Sequence, residues 1–147
     1  MANASLIVAE ARKWIGTPYQ HQASCLHAGC DCLGLVRGVW RALIGDEPEL
    51  APPYTPNWAE DLQEETLLEA ARRHLIEIPI GGAQIGDVLA FRMGLGAPVK
   101  HLAIVSKVSQ GKATNIIHAY WGRSVVETHL GPWWSRRIAA AFQFPNF

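Results

Sequence analysis

Hydrophobic positions in the first half of the chain recur at the three- to four-residue spacing of helices. A second helix is predicted over residues 32–43, where apolar side chains cover most of the circumference and Arg37 and Arg41 mark the polar face; such a helix is central to a core. A first helix is predicted to begin after Asn3 or Ser5 and to end near residue 15, with its apolar stripe at Ile7, Ala11, Trp14 and Ile15.

A proline-rich passage separates the second helix from a third. Residues 48–56 hold four prolines, and the third helix is predicted to be capped near Asn57, with apolar positions at Leu62, Leu67, Leu68, Ala71 and Leu75. The segment at about 46–80 is long for a connection between elements. We interpret it as a helical insert, serving as a lid, a specificity wall or a docking surface, within a single domain of residues 1–147.

Apolar runs in the second half are short and strand-like. The turns at Gln110-Gly111-Lys112 and Trp121-Gly122-Arg123 indicate hairpins, so consecutive strands are expected to form an antiparallel meander. Helices followed by strands predict an α+β fold. The predicted strands run from Asp87 to Arg92, Leu102 to Val108, Thr114 to Tyr120, Ser124 to His129 and Ile138 to Phe144.

Composition narrows the class of protein. With 147 residues, 49% hydrophobic and 18% charged, the chain suits one compact domain. Thirteen basic and thirteen acidic residues give a formal net charge of zero, which argues against nucleic acid as a main partner. The chain has no run of about twenty apolar residues, so membrane insertion is not expected. The first ten residues lack the pattern of a signal peptide, and we expect synthesis in a reducing cytoplasm.

Cys32 is the first candidate for chemistry, because it begins the second predicted helix directly after Asp31. A thiol at a helix N-terminus is expected to have a lowered pKa and to act as a nucleophile. Its backbone N–H can then serve an oxyanion hole, and Gly34 would let the helix lie close to the sheet. The alternative is that Cys32 is simply a small buried apolar residue.

Two histidines supply candidate partners. His101 opens an apolar strand and would act as the general base, while His118 could accept a hydrogen bond from the His101 ring and fix its tautomer. Asn115 and Glu127 are alternatives for that orienting role if the strand register differs. A histidine in a strand is otherwise often a satisfied core residue, and the remaining four histidines receive no role.

Zinc is the main competing interpretation of the cysteine-rich loop. Five potential ligands lie within twelve residues, but their spacing lacks the paired C-x-x-C knuckles of structural zinc sites. We therefore predict no metal and no other cofactor, with Cys25 and Cys30 as loop thiols. The five potential ligands are His21, Cys25, His27, Cys30 and Cys32.

Five segments in this order resemble the NlpC-type peptidases, papain-like enzymes that cut bacterial cell-wall peptides, and especially the compact versions encoded with phage and gene-transfer-agent tails. The resemblance covers nearly the whole chain. The segments are Trp14-Ile15-Gly16-Thr17-Pro18-Tyr19, Asp31-Cys32-Leu33-Gly34-Leu35-Val36, Gly86-Asp87-Val88-Leu89-Ala90-Phe91, His101-Leu102-Ala103-Ile104-Val105 and Ile117-His118-Ala119.

The resemblance implies a fold, a site and a substrate. The fold would be papain-like, with N-terminal helices packed on an antiparallel sheet of five to six strands. Cys32, His101 and His118 would form a catalytic triad, with the Tyr19 hydroxyl near the oxyanion and Asp31 holding a substrate ammonium. The expected reaction is hydrolysis of peptidoglycan stem peptides between D-glutamate and the diamino acid. Leu33 departs from the serine that the family most often has there.

The resemblance also implies a place of action. Without an attached targeting module, the enzyme is expected to reach the wall within a phage-like tail particle, bound to a tail hub or baseplate protein. One alternative is a catalytically silent tail-tip module of the same fold, docking through exposed Trp133-Trp134 and the insert. Another is acyl transfer to an amine or lipid by the same thiol.

Overall fold

The computed structural model describes residues 3–48, 65–120 and 122–147. Its first helix, α1, spans Ala4–Arg12 and ends earlier than predicted. The chain tightens there into three-residue turns, since the Trp14 and Ile15 amides donate to the carbonyls of Ala11 and Arg12, and Gly16 follows with φ +93°. Trp14 is buried as expected, but Ile15 is 42% exposed and does not belong to the apolar stripe.

The second helix, α2, spans Cys32–Leu43 as predicted. It buries Leu35 and Val39 in the core, while Arg37 and Arg41 on its outer face both pair with Glu47. The loop before it contains a short hairpin that the sequence pattern did not indicate, with β1 at Ser24–Cys25 and β2 at Gly29–Cys30.

The described part of the insert contains a third helix, α3, at Thr66–His74. It buries Leu67, Leu68 and Ala71 against the core. Glu65 has non-helical backbone angles, so α3 begins at Thr66. The predicted cap near Asn57 and the apolar position Leu62 lie outside the described residues.

An antiparallel sheet of six strands forms the second half of the molecule. The five predicted strands are confirmed, with shifted ends, and β3 after α3 is an additional strand. A 3-10 turn at Ile80–Gly82 follows β3, and a short helix, α4, at Pro132–Ser135 precedes β8. The strands are β3 (Ile76–Ile78), β4 (Val88–Arg92), β5 (Val99–Ser109), β6 (Lys112–Ala119), β7 (Val125–His129) and β8 (Ile138–Gln143).

The prediction of a simple meander was wrong for the last strand. β4 to β7 are consecutive neighbours, but β8 crosses back to lie between β3 and β4. The outer edge of β7 is already occupied, because Gly16 donates to the Val125 carbonyl and Val125 donates to the Thr17 carbonyl, each at 2.9 Å. β8 pairs with the other edge of β4.

The sheet separates two apolar layers. The larger layer packs α1, α2 and α3 on one face, through side chains such as Leu35, Leu102 and Ile104. The smaller layer, on the opposite face, includes Phe91 and Ile116 and is partly covered by α4. In the described ranges, no helix is long and apolar enough to cross a bilayer.

Candidate active site

Asp31 fixes the start of α2 and with it the position of Cys32. Its Oδ1 accepts a hydrogen bond from the Gly34 amide at 2.7 Å, and its Oδ2 accepts one from the Gln22 amide at 2.8 Å. The side chain is only 2% exposed. Asp31 is thus an N-cap that also ties α2 to the preceding loop, and Cys32 becomes the first helical residue.

Gly34 permits a close approach, but to that loop rather than to the sheet as predicted. A Cβ placed on Gly34 would lie 1.9 Å from the carbonyl oxygen of Ala23. The Gly34 carbonyl in turn accepts a hydrogen bond from the Ser24 hydroxyl at 2.6 Å. The loop and the first turn of α2 therefore form one packed unit around Cys32.

The Cys32 thiol lies against the beginning of β5. Its Sγ donates to the Lys100 carbonyl at 3.7 Å, and the Leu102 amide donates toward the sulfur. Lys100 and Leu102 are the two neighbours of His101 along the chain, so the thiol lies beside the backbone that carries this histidine.

His101 and His118 are joined in a hydrogen-bonded chain. His101 Nε2 lies 2.9 Å from His118 Nδ1, and His118 Nε2 lies 3.1 Å from the Thr128 hydroxyl. The two rings are 5% and 2% exposed. When His118 Nε2–H donates to Thr128, His118 Nδ1 accepts from His101 Nε2–H. His101 Nδ1 is then left unprotonated and able to accept a proton.

The other candidates for the orienting role lie elsewhere. Asn115 is opposite His129 near the far end of β6, and Glu127 pairs with Arg12 at 3.0 Å. Of the three polar side chains considered from the sequence, only His118 contacts His101.

Trp134 of α4 packs against both histidines. Its ring centroid lies 5.1 Å from that of His101 and 5.0 Å from that of His118, while Phe91 contacts His101 from β4 at 5.6 Å. The expectation that Trp133 and Trp134 are both exposed holds only for Trp133, which is 42% exposed. Trp134 instead limits water access to the histidine pair.

Burial controls the protonation states of the site. It holds the pKa of His101 well below the usual 6.5, helped by the neighbouring His118, and lowers the pKa of His118 to about 4. Burial, and then the charge of Asp31, raise the pKa of Cys32 to about 12, outweighing the N–H groups of Leu102 and Leu33 that lower it. The thiol pKa is therefore not lowered as predicted from the helix N-terminus, and near neutral pH thiol and imidazoles are all uncharged.

Tyr19 reaches the same site from the loop before α2. It forms a parallel bridge with Cys30, and burial, followed by the nearby Cys32, raises the pKa of its phenol. Tyr19 also lines a groove of about 520 Å³ together with Pro18, Gly122, Arg123 and Ser124. We call this the tyrosine groove.

A second groove of about 370 Å³ lies behind the histidines, and we call it the tryptophan groove. It is lined by His118, Tyr120, Arg123, Val126, Thr128, His129, Trp133 and Trp134.

The cysteine-rich loop shows three different thiol environments. Cys25 is exposed, Cys30 is buried and Cys32 is intermediate. Across residues 3–48, 65–120 and 122–147, no three His, Cys, Asp or Glu side chains come together as metal ligands.

Sequence reasoning missed two residues that contact the histidines, Thr128 and Trp134. Thr128 could be found only from the β6–β7 register, in which Ile116 faces Thr128 and His118 faces Val126. Trp134 could be recognised as an aromatic residue in the sequence. Its contact with the histidines, however, depends on how the short helix α4 leads the chain back into β8.

The sequence matches no protein-family model and no curated protein. The structure is nevertheless similar to several solved ones. It superimposes on the NlpC/p60 domain of the peptidoglycan hydrolase SagA with a TM-score of 0.68 and 27% identity, covering 97% of this chain and 100% of that one.

Two longer bacterial proteins share the architecture. The Staphylococcus aureus NLP/P60 family protein, described as similar to lipoprotein, matches with a TM-score of 0.67 and 21% identity over 98% of this chain and 42% of its own. A Bacillus cereus NLPC/P60 family protein matches with a TM-score of 0.64 and 21% identity over 96% and 40%. This chain spans about two fifths of each. It therefore has the NlpC/P60 fold, an α+β architecture of helices packed on a six-stranded antiparallel sheet.

Proposed function

We propose that the protein is a cysteine peptidase that hydrolyses peptidoglycan stem peptides. The observation that carries this proposal is the placement of Cys32 at the start of α2, beside an His101 whose other ring nitrogen is held by His118 at 2.9 Å. A nucleophile, a base and an orienting group in that relation are what acyl transfer requires. The NlpC/P60 fold, shared with a peptidoglycan hydrolase domain, supports the choice of substrate.

In the proposed reaction, Cys32 Sγ attacks the scissile carbonyl carbon while the thiol proton passes to His101 Nδ1. The Cys32 backbone N–H and the Tyr19 hydroxyl stabilise the oxyanion. Collapse of the tetrahedral intermediate breaks the C–N bond, and the amine leaves with the proton from His101. Water then attacks the thioester and gives a proton to His101. The C–S bond breaks, the acid product leaves, and the proton returns to sulfur.

The uncharged resting site suits this sequence of proton transfers. A neutral His101 can accept a proton, and its low pKa makes the resulting imidazolium a strong acid toward the leaving amine. A thiol with a raised pKa gives up its proton during the attack rather than before it. His118, itself bound to the Thr128 hydroxyl, holds the His101 ring through both steps.

We further propose that the bond cut is the one between D-glutamate and the diamino acid, on the basis of the sequence resemblance. Asp31 would hold the free ammonium of the stem peptide in that scheme. Both Asp31 oxygens already accept backbone hydrogen bonds. A substrate ammonium would therefore add to those contacts as a further donor.

Product analysis tests the activity and the bond together. Purified wild-type protein and its Cys32→Ala form are mixed with stem peptides and with sacculi, and products are identified by mass spectrometry. We expect new fragments ending in D-glutamate with wild type alone. Equal fragments from both forms would show that the cleavage does not depend on Cys32 and would contradict the cysteine peptidase. No fragments from wild type would favour a silent structural module of the same fold.

We also propose, from the resemblance to tail-encoded members, that the protein works in a phage-like tail particle, bound to a hub or baseplate protein. Proteomic analysis of purified tail particles from the source cells tests this. We expect the protein to co-purify with tail components at fixed stoichiometry; its recovery only in the soluble cell fraction would contradict the placement.

A further inference from the structure

The turn after β6 faces the loop that carries Tyr19. Gly16 and Thr17 exchange backbone hydrogen bonds with Val125, which holds this loop alongside the start of β7. Arg123 donates its amide to the Tyr120 carbonyl at 2.9 Å and lies in that turn. The tyrosine groove lies between loop and turn, with Tyr19 on one side and Arg123 on the other.

Arg123 differs from most arginines of the described chain. Within residues 3–48, 65–120 and 122–147, its exposed guanidinium makes no hydrogen bond and no ion pair, whereas Arg12, Arg41 and Arg92 each pair with a glutamate. A guanidinium is always charged and presents a planar fork of donors that matches a carboxylate. The Arg123 side chain is thus available to an anion.

The surroundings of Arg123 favour an anionic group. Arg123 lines both the tyrosine groove and the tryptophan groove, and neither groove has a carboxylate among its described lining residues. Both grooves lie near the candidate triad. Tyr19 of the tyrosine groove forms a parallel bridge with Cys30, two residues before Cys32, and Arg123 shares the tryptophan groove with His118. A carboxylate bound by Arg123 would therefore belong to a substrate whose scissile bond lies at Cys32.

We infer that Arg123 is a specificity-determining residue, which binds a free carboxylate of the substrate beside the scissile bond. This inference rests on the proposed peptidase function. It makes the substrate an acidic peptide, and it predicts discrimination against the same peptide when that carboxylate is converted to a primary amide. Charge-assisted, bidentate pairing is the physical basis of the discrimination.

The test uses L-Ala-γ-D-Glu-L-Lys and the same peptide with the glutamate α-carboxylate amidated. We expect Arg123→Gln to lower kcat/KM for the carboxylate peptide by about 10- to 100-fold, the range for a lost charge-assisted contact. It should change kcat/KM for the amide by less than about threefold. Arg136→Gln, at another exposed arginine outside both grooves, is the matched control and should affect neither peptide. Equal loss on both peptides, or no loss on either, would overturn the inference.

A binding measurement separates this inference from the proposed activity. Calorimetric titration of the Cys32→Ala protein with both peptides requires no cleavage. Tighter binding of the carboxylate peptide, abolished by adding Arg123→Gln, supports the Arg123 site even where wild type cuts neither peptide. Equal binding of both peptides, or binding of neither, overturns it.

Discussion

At the scale of single residues, the position of His101 is determined by its two neighbours and by one hydrogen bond. Trp134 and Phe91 pack against its ring, and His118 Nδ1 engages its Nε2. Only Nδ1 is then left to accept the Cys32 proton in the proposed reaction. A ring restrained in this way would need little reorganisation during the proposed attack, which is how a positioned base contributes to rate.

The raised pKa of Cys32 leads to a prediction about how fast its thiol is alkylated at different pH values. The thiolate is the form that reacts with iodoacetamide, and burial together with Asp31 raises the Cys32 pKa to about 12. The alkylation rate of Cys32 should therefore keep rising about tenfold per pH unit from about pH 6 to about pH 10. Quenched labelling with peptide mass spectrometry measures this rate.

The measurement belongs in a Cys25→Ser background, because Cys25 is exposed and would consume reagent. A preformed thiolate–imidazolium pair would behave differently, since the thiolate would already be present at neutral pH. A rate that is flat between about pH 6 and about pH 8 would show such a pair and would rule out the neutral resting state.

At the scale of elements, the sequence predicts what depends on local pattern. α2 was predicted with its observed ends because its apolar spacing and its polar arginines agree, and the structure adds the cap at Asp31. The β5–β6 turn was predicted from the residues Gln110-Gly111-Lys112. In the structure Gln110 and Gly111 both take positive φ, as a two-residue hairpin of this kind requires.

The position of an element in the sheet was not predicted where it depends on distant partners. β8 lies beside β4 rather than β7, a long-range pairing that leaves no local pattern. The same holds for the site: Cys32, His101 and His118 have recognisable sequence contexts, whereas Thr128 and Trp134 reach the histidines only through strand register and the crossing to β8.

The close packing of α2 on the loop that contains Ala23 leads to a prediction about stability. Gly34→Ala gains about 1 kcal/mol of helix propensity, but its Cβ would lie 1.9 Å from the Ala23 carbonyl oxygen. Because that atom belongs to the backbone, it cannot turn away, and we expect a net loss of about 1–3 kcal/mol in the free energy of unfolding. Urea titration measures the loss, and displacement of Cys32 should reduce activity as well.

Gly81→Ala provides the matched control for this variant. A Cβ on Gly81 meets no atom within 4 Å, and its φ lies outside the left-handed region. Its free energy of unfolding should stay within about 0.5 kcal/mol of wild type. Equal stability of the two variants would show that α2 tolerates a shift away from the loop.

At the scale of the whole molecule, charged side chains connect segments that are distant along the chain. Glu65 at the start of α3 accepts hydrogen bonds from Arg92 and from the Val99 amide. The insert is thereby attached to β5 next to Lys100, whose carbonyl contacts the thiol. Burial alone would raise the pKa of Glu65, but the Val99 amide and Arg92 together lower it. Glu47 and Glu127 also have lowered pKa values because of their arginine partners.

The buried histidines lead to a prediction about stability in acid. In the unfolded chain they protonate near pH 6.5, whereas in the fold the pKa of His118 falls to about 4 and that of His101 is also well below 6.5. Between these values the unfolded state binds more protons. The stability that depends on these two histidines being neutral is therefore fully present above about pH 6.5. As pH falls below that value, the free energy of unfolding decreases by up to about 1.4 kcal/mol per pH unit for each histidine.

The window from about pH 6.5 to about pH 5 separates this effect from that of the glutamates. Glu47, Glu65 and Glu127 have folded pKa values below 4.5, so their contribution is lost only at lower pH. Urea unfolding of wild type at several pH values in the window should show falling stability. His118→Gln should flatten the slope, while His129→Gln, at an exposed histidine, should keep it. A wild-type stability that is constant across the window would contradict this prediction. It would mean that both imidazoles are charged, or accessible to water, in the folded protein, rather than buried and uncharged.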